Sequence, residues 1–396
     1  MKKILLHSFL ICVVSVSLFA QSDADAPLPE PLGNNLYAGI ELTTTNMRPV
    51  VFQIDTLASG KVCFKRVSMA LSPDGSIKFD KIRTPQQMIF YAKRIASYVE
   101  IFQSPMYQIK PERIYVLMSS TFFTPFNNDS HAIEELKEII RQYNPDINIS
   151  QFKSEEEADD CILGMTSDGV LSKVLEQVGK RPVINIIDVN NSNFKGGYLG
   201  KAGSPVNFNL EGGVFKITKL AEKEITDNNW NLNNTSHRRE IAKFAASQFR
   251  EKYLPNIKMN SSDDNVVVLA GGIVFTYSVW LKAQEIPSKS YHRLYAKEND
   301  SDEFLEAVID NPDNQALFEQ GPGGATVNNF YGERIFASGK RALTNVQILT
   351  GAAILNELVH ELRNKRGTKT FIFNTDLWFS ALYYHISEAA RERPRP

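Results

Sequence analysis

The sequence predicts an α/β protein built as two lobes with a cleft between them. Three observations carry this expectation. Strand-length apolar runs alternate with segments of helical periodicity along most of the chain. A strand, a polar turn and a second strand occur twice, first over Leu36–Ile54 and again from Val183 to Leu199. At 396 residues the chain is long enough to bury two cores.

The first lobe is expected over 36–153. Leu36–Ile40 and Pro49–Ile54 read as strands around the hydroxyl-rich turn Glu41–Arg48, and Lys61–Leu71 reads as a third. Asp74-Gly75 is a turn signal. Thr84-Pro85 has the cap and first-turn proline of a helix start. Met88, Ala92, Ile95, Ala96, Val99 and Phe102 then recur at helical spacing. Arg113–Met118 reads as a buried strand, Ile133, Leu136, Ile139 and Ile140 mark a helix, and a strand runs to Phe152.

The second lobe is expected over 154–375. A helix follows Ser154, and Val183–Ile187 is a strand ending in the turn Asp188–Asn193. Tyr198–Gly200 and Val206–Ile217 read as strands around turns at Gly196-Gly197 and Gly212-Gly213. A helix spans Ser236–Tyr253, and the strand Val266–Leu269 runs into Ala270-Gly271-Gly272 and a helix near Thr276–Ala283. Residues 287–332 read as an insertion of helix and loop, with Gly321-Pro322-Gly323-Gly324 as a break. A long helix covers Asn345–Arg363, with Gly351, Ala352 and Ala353 on a tightly packed face. Thr370–Phe373 is the last strand, and residues 376–396 form a final helix and basic tail.

Net charge is −1 and the pI about 6.6, which makes no global case for a nucleic-acid partner. Residues 1–20 have the basic start, short apolar core and small-residue end of a secretory signal peptide, and 21–35 read as a polar, proline-rich linker. Export, to the periplasm, is therefore expected. No later stretch is apolar enough for an integral membrane segment. Cys12 falls within the signal, leaving Cys63 and Cys161, whose pairing the spacing does not decide. Trp230, Trp280 and Trp378 read as core or interface residues, and His360 as a solvated or capped imidazole beside Glu357 and Glu361.

The stretch with the strongest chemical signal is Ser154-Glu155-Glu156-Glu157-Ala158, where a strand gives way to a helix. Carboxylates suit the first turn of a helix, whose amides lack internal partners and whose dipole is positive there. Ser154 with Glu157 also fits a capping box. Alternatively, Glu157 faces the cleft as a general base. Local spacing allows both.

In this order, several segments together resemble the exopolyphosphatase/guanosine pentaphosphate phosphatase (Ppx/GppA) family of the actin–Hsp70–sugar kinase superfamily. They are the first strand–turn–strand, Lys153–Ala158 with Gly164 downstream, the Asp188 turn, Ala270-Gly271-Gly272, and the helix containing Leu349–Leu355. The likeness runs from about Tyr37 to Tyr384. It implies two ribonuclease H-like, actin-like ATPase lobes, a phosphate-binding cleft, a divalent metal such as Mg²⁺, and homodimers. It implies Glu157 as catalytic base and Glu41 and Asp188 as metal ligands. Phosphate contacts would come from Thr43, Thr44, Thr45, Asn190, Asn191, Lys195, Gly271 and Gly272.

The departures from that pattern are concentrated in the loops. Glu41–Asn46 stands where the family has Asp-x-Gly-Ser-Asn-Ser. Asp188–Lys195 stands where it has Asp-x-Gly-Gly-Gly-Ser-Thr-Glu, so a lysine replaces an acid. Phe123 stands where the family's Thr-x-x-x-Arg stretch carries arginine, and Trp378-Phe379-Ser380-Ala381 stands where the family has Leu-Arg-Glu-Gly, again without the arginine. Phosphoryl transfer depends on positioning and on cations around the moving oxygens. These losses imply a catalytically degenerate relative, a pseudoenzyme with a cleft kept for an anionic ligand or for assembly. The alternative is an active metal-dependent phosphatase with a rebuilt site, acting on polyphosphate or a related phosphoanhydride or ester. A third reading puts function in 287–332 or the basic tail.

Overall fold

The computed structural model describes residues 35–43, 47–56, 62–69, 85–120, 122, 130–166, 183–200, 203–260, 265–283, 293–294, 300–312, 343–364, 370–373 and 380–392. The expected signal peptide, most of the linker, Thr44, Thr45, Asp74-Gly75, the Cys63 side chain, Phe123, Gly321–Gly324, Trp378 and the tail after Glu392 lie outside the described residues.

Two sheets organise the chain. The first comprises β1 (Leu36–Leu42), β2 (Met47–Thr56), β3 (Val62–Met69), β4 (Ile114–Met118) and β5 (Asn148–Gln151), in the order β3-β2-β1-β4-β5. The second comprises β6 (Val183–Val189), β7 (Asn193–Leu199), β8 (Pro205–Glu211), β9 (Asn265–Ala270), β10 (Arg293–Leu294) and β11 (Thr370–Phe373), in the order β10-β11-β9-β6-β7-β8. Each sheet pairs its hairpin antiparallel and continues in parallel through its crossovers.

Strand alternation sends side chains to opposite faces. In the first sheet Ala38, Ile40, Val116 and Met118 pack under α1 (Pro85–Gln103) and α2 (Ser130–Tyr143). In the second, Ile187, Val189, Val267 and Leu269 pack under α4 (Gly213–Asp227), α5 (Thr235–Lys252), α6 (Gly272–Ala283), α7 (Asp300–Asp310) and α8 (Asn345–Asn364). Residues one position along, including Tyr115, Leu117, Ile186, Val266 and Val268, look inward from both sheets onto one shared layer. That layer is α3 (Ser154–Thr166) with α9 (Ser380–Glu392), which contributes Leu382, Tyr383 and Ile386. A tie between Ser150 Oγ and His385 Nε2, at 3.0 Å, joins edge strand β5 to this layer.

Two expectations need correction. The segment after the turn at Gly212 is not a strand: β8 stops at Glu211, Gly212 takes a left-handed φ of 104°, and α4 begins at Gly213. Val214-Phe215-Lys216-Ile217 alternates like a strand, but Val214, Ile217, Thr218 and Ala221 bury one helical face. Gly196-Gly197 is not a turn either; it lies inside β7, between antiparallel neighbours on both sides. A Cβ at Gly197 would stand 2.0 Å from the Val206 carbonyl oxygen. The glycines there record close backbone approach.

Arg238, on α5 and 1% exposed, closes the end of α7. Its guanidinium donates to the carbonyls of Leu232, Val308, Ile309 and Asn311. These include acceptors that a helix terminus leaves without internal partners. Arg238→Met is expected to cost about 3 kcal/mol, because buried carbonyls lose charged donors. Chemical denaturation measures it, and a loss below about 0.5 kcal/mol, the usual range for surface substitutions, would show that the carbonyls find other partners.

Candidate functional site

The start of α3 resolves the two readings of the acidic run. Glu156 supplies the capping contact, accepting from the Lys153 amide at 3.3 Å and from Lys153 Nζ at 2.9 Å. The capping-box glutamate is therefore one residue earlier than the Ser154/Glu157 spacing suggests. Glu157 is released from that duty and points inward, 1% exposed, where it accepts the Ser120 amide at 2.8 Å.

Two hairpins bring the other charges to it. In the first sheet Glu41 on β1 is the cross-strand partner of Arg48 on β2, and Arg48 Nη1 lies 3.2 Å from Glu41 Oε2. In the second sheet Asp188 on β6 is the cross-strand partner of Lys195 on β7. Each hairpin thus sets an acid opposite a base seven residues later. That shared spacing is readable in the sequence and is the signal that would have found the pairing of Glu41 with Arg48.

Inward alternation aims Asp188 and Lys195 at the middle layer. Lys195 Nζ reaches 2.5 Å from Glu157 Oε1 and 3.8 Å from Asp188 Oδ2. Glu41, Glu157, Asp188 and Lys195 are each less than 10% exposed. Asp188 Oδ2 also accepts from Asn190 Nδ2, while Oδ1 has no hydrogen-bond partner among the described residues.

The electrostatics follow from burial and from these pairings. Burial raises the Glu41 carboxyl, with Arg48 and Lys195 opposing it. Burial likewise raises Asp188 against the pull of Lys195. At Glu157 burial again opposes charge, but Lys195 and Ser120 outweigh it and hold the carboxyl below its ordinary range. Burial works against the Lys195 ammonium, yet Glu157 and Asp188 hold it above the ordinary lysine value. Cys161 nearby is a free thiol that burial pushes up.

Two of the turns expected to grip phosphate, those at Asn190-Asn191 and Gly271, are packed against neighbouring backbone. The Asn190 and Asn191 carbonyls accept from Val214 and Phe215, in the first turn of α4, at 3.0 and 2.8 Å. Gly271 has φ 111°, and a Cβ there would meet the Val189 carbonyl oxygen at 2.1 Å, so only glycine lets this turn lie on the end of β6. A Cβ on Gly272 would meet only Asn191 Nδ2, at 4.0 Å. Thr43 is buried at the end of β1. Asn190 and Lys195 direct their side chains to carboxylates.

The residues present do not fit a divalent metal. Among the described residues no group of three or more histidine, cysteine or carboxylate side chains is arranged to hold one. The expected ligands Glu41 and Asp188 each have a tethered cation instead, Arg48 and Lys195. A dication beside the ammonium would face like-charge repulsion. A separate cavity of about 410 Å³ lies at the β8 edge, lined by Leu210, Lys216, Gln248, Lys252 and Tyr253 among others, and includes none of the clustered charges.

No family model matches the sequence, and no curated protein does. Solved structures do match. The Aquifex aeolicus member of the Ppx/GppA protein family is 12% identical, over 91% of this chain and 99% of its own, with TM-score 0.58. An exopolyphosphatase from Cytophaga hutchinsonii is also 12% identical, over 89% and 98%, with TM-score 0.57. An exopolyphosphatase-like protein is 14% identical, over 88% and 97%, with TM-score 0.51. With its two sheets and the helical layer between them, this chain has the actin-like, two-lobed fold of the Ppx/GppA phosphatases.

Proposed function

We propose that this protein is an exported Ppx/GppA-like protein that has lost phosphohydrolase chemistry and keeps its cleft to bind an anionic ligand or to assemble with a partner. One observation carries the reading: the residue in the place of the base, Glu157, is buried and pinned by Lys195 at 2.5 Å. A general base must accept a proton near the working pH. A carboxylate held below its ordinary range by a contacting ammonium is a poor acceptor, and turning it toward a water would break a buried ion pair. Export rests on the signal-like residues 1–20.

Purified protein is expected to release no phosphate above the blank from long-chain polyphosphate or guanosine pentaphosphate, with Mg²⁺ or Mn²⁺ present. Turnover that disappears in Glu157→Gln would overturn the reading in favour of an active phosphatase, with Glu157 as base and Arg48 and Lys195 as substrate cations.

A further inference from the structure

The carboxylates in this site outnumber its cations. Glu41, Glu157 and Asp188 face Arg48 and Lys195, and all three acids are buried. One carboxylate oxygen, Asp188 Oδ1, is buried without a hydrogen-bond partner among the described residues. Buried polar atoms are seldom left so, and each exception needs a reason.

We propose that Lys195 is a tethered replacement for a divalent cation, and that removing its charge converts Glu157 and Asp188 into a divalent-cation site. The ammonium touches one of these acids and lies within ion-pair distance of the next. It comes from β7, whose backbone is locked between β6 and β8, so the cation is delivered by the fold and needs no supply from solution. Without it, two buried carboxylates, Glu157 and Asp188, remain within reach of one point. Hard oxygen donors of this kind suit Mg²⁺ and Mn²⁺.

This rests on the reading of Glu157 as pinned, but hydrolysis is not its readout. Mn²⁺ is titrated into purified protein and free ion followed by its electron paramagnetic resonance signal. Wild type is expected to leave the signal unchanged. Lys195→Gln is expected to remove one equivalent of Mn²⁺, and Lys195→Gln with Asp188→Asn to remove none. Thermal unfolding supplies a second measure, since a ligand that binds only the native state raises the midpoint. A Mn²⁺-dependent rise of at least about 3 °C is expected in Lys195→Gln, with none in wild type. Lys195→Asn serves as the shorter neutral variant where glutamine packs poorly.

The proposal is overturned if wild type binds an equivalent of Mn²⁺ that Asp188→Asn abolishes. It is also overturned if neither neutral variant shows Mn²⁺ uptake or a Mn²⁺-dependent midpoint. Phosphate release by wild type would count against the loss of chemistry. Failure of the neutral variants to take up Mn²⁺ would leave that loss standing and remove only the idea of a replaced metal.

Discussion

Lys195→Met is expected to destabilise the protein by about 3–5 kcal/mol, the usual cost of removing one partner of a buried ion pair. Nearly all of it comes from what is left behind. Glu157 is 1% exposed, and after the substitution its remaining hydrogen bond among the described residues is from the Ser120 amide. Methionine keeps the volume of the lysine stem, so little of the loss is cavity. The double variant Lys195→Met/Glu157→Leu removes both charges and is expected to recover most of the stability. A double variant as unstable as the single one would mean that the pair itself, and not an orphaned charge, holds β7 to α3.

The pH dependence has a definite sign. In wild type the Glu157 carboxyl sits below its ordinary 4.5, so the pair's contribution is full above that value and is lost as pH falls through the lower folded value. Lys195 sits above its ordinary 10.5, so its contribution is full below that value and is lost as pH rises through the higher folded one. Glu41 and Asp188 are raised and run opposite to Glu157, favouring the native state as pH falls. In Lys195→Met the unpaired Glu157 is raised too, because burial is no longer opposed by the ammonium. The deficit against wild type is therefore expected to be largest near neutrality and to shrink as pH falls toward the carboxylate range. Urea denaturation across that range measures it, and a deficit independent of pH would show that Glu157 is not the group left uncompensated.

Gly164→Ala is expected to cost about 3 kcal/mol even though alanine is the better helix former. In an exposed helix the exchange would gain about 1 kcal/mol. Gly164 lies inside α3, and a Cβ there would stand 2.0 Å from the Ser380 carbonyl oxygen and 2.7 Å from its carbon, at the start of α9. Both are backbone atoms, so no rotamer relieves the contact and α3 and α9 must separate. Overpacking that moves backbone costs about 1–3 kcal/mol and sometimes more. The same movement displaces Glu157 at the other end of α3. Chemical denaturation gives the sign directly, and a variant more stable than wild type would mean that the two helices of the middle layer are not in backbone contact.

Much of the fold is legible from period alone. Near-continuous apolar runs in β1, β4, β6 and β9 anticipate strands buried on both faces, and the helical spacing of Met88, Ala92, Ile95, Val99 and Phe102 anticipates α1. Gly351 meets the expectation of a tight helix face, since a Cβ there would touch the Ile273 side chain at 2.8 Å. Short apolar runs are less legible. Val214–Ile217 suits either period, and only the left-handed Gly212 and the core beneath α4 select the helix. Gly196-Gly197 carries the composition of a turn, and only the strands on either side show why side chains are excluded.

By itself the sequence determined that Glu157 begins a helix, that Glu41 and Asp188 end strands before polar turns, and that a lysine stands at 195. Those are local properties, set by periodicity and by which residues tolerate helix starts and turns. Only the tertiary structure decided that Glu156 takes the cap, that Glu157 turns inward, and that Lys195 closes on it at 2.5 Å. Glu157 and Lys195 are far apart in the chain and meet across two packed layers. Whether a carboxylate there can act as a base depends on the charges burial brings to it, which no local pattern contains.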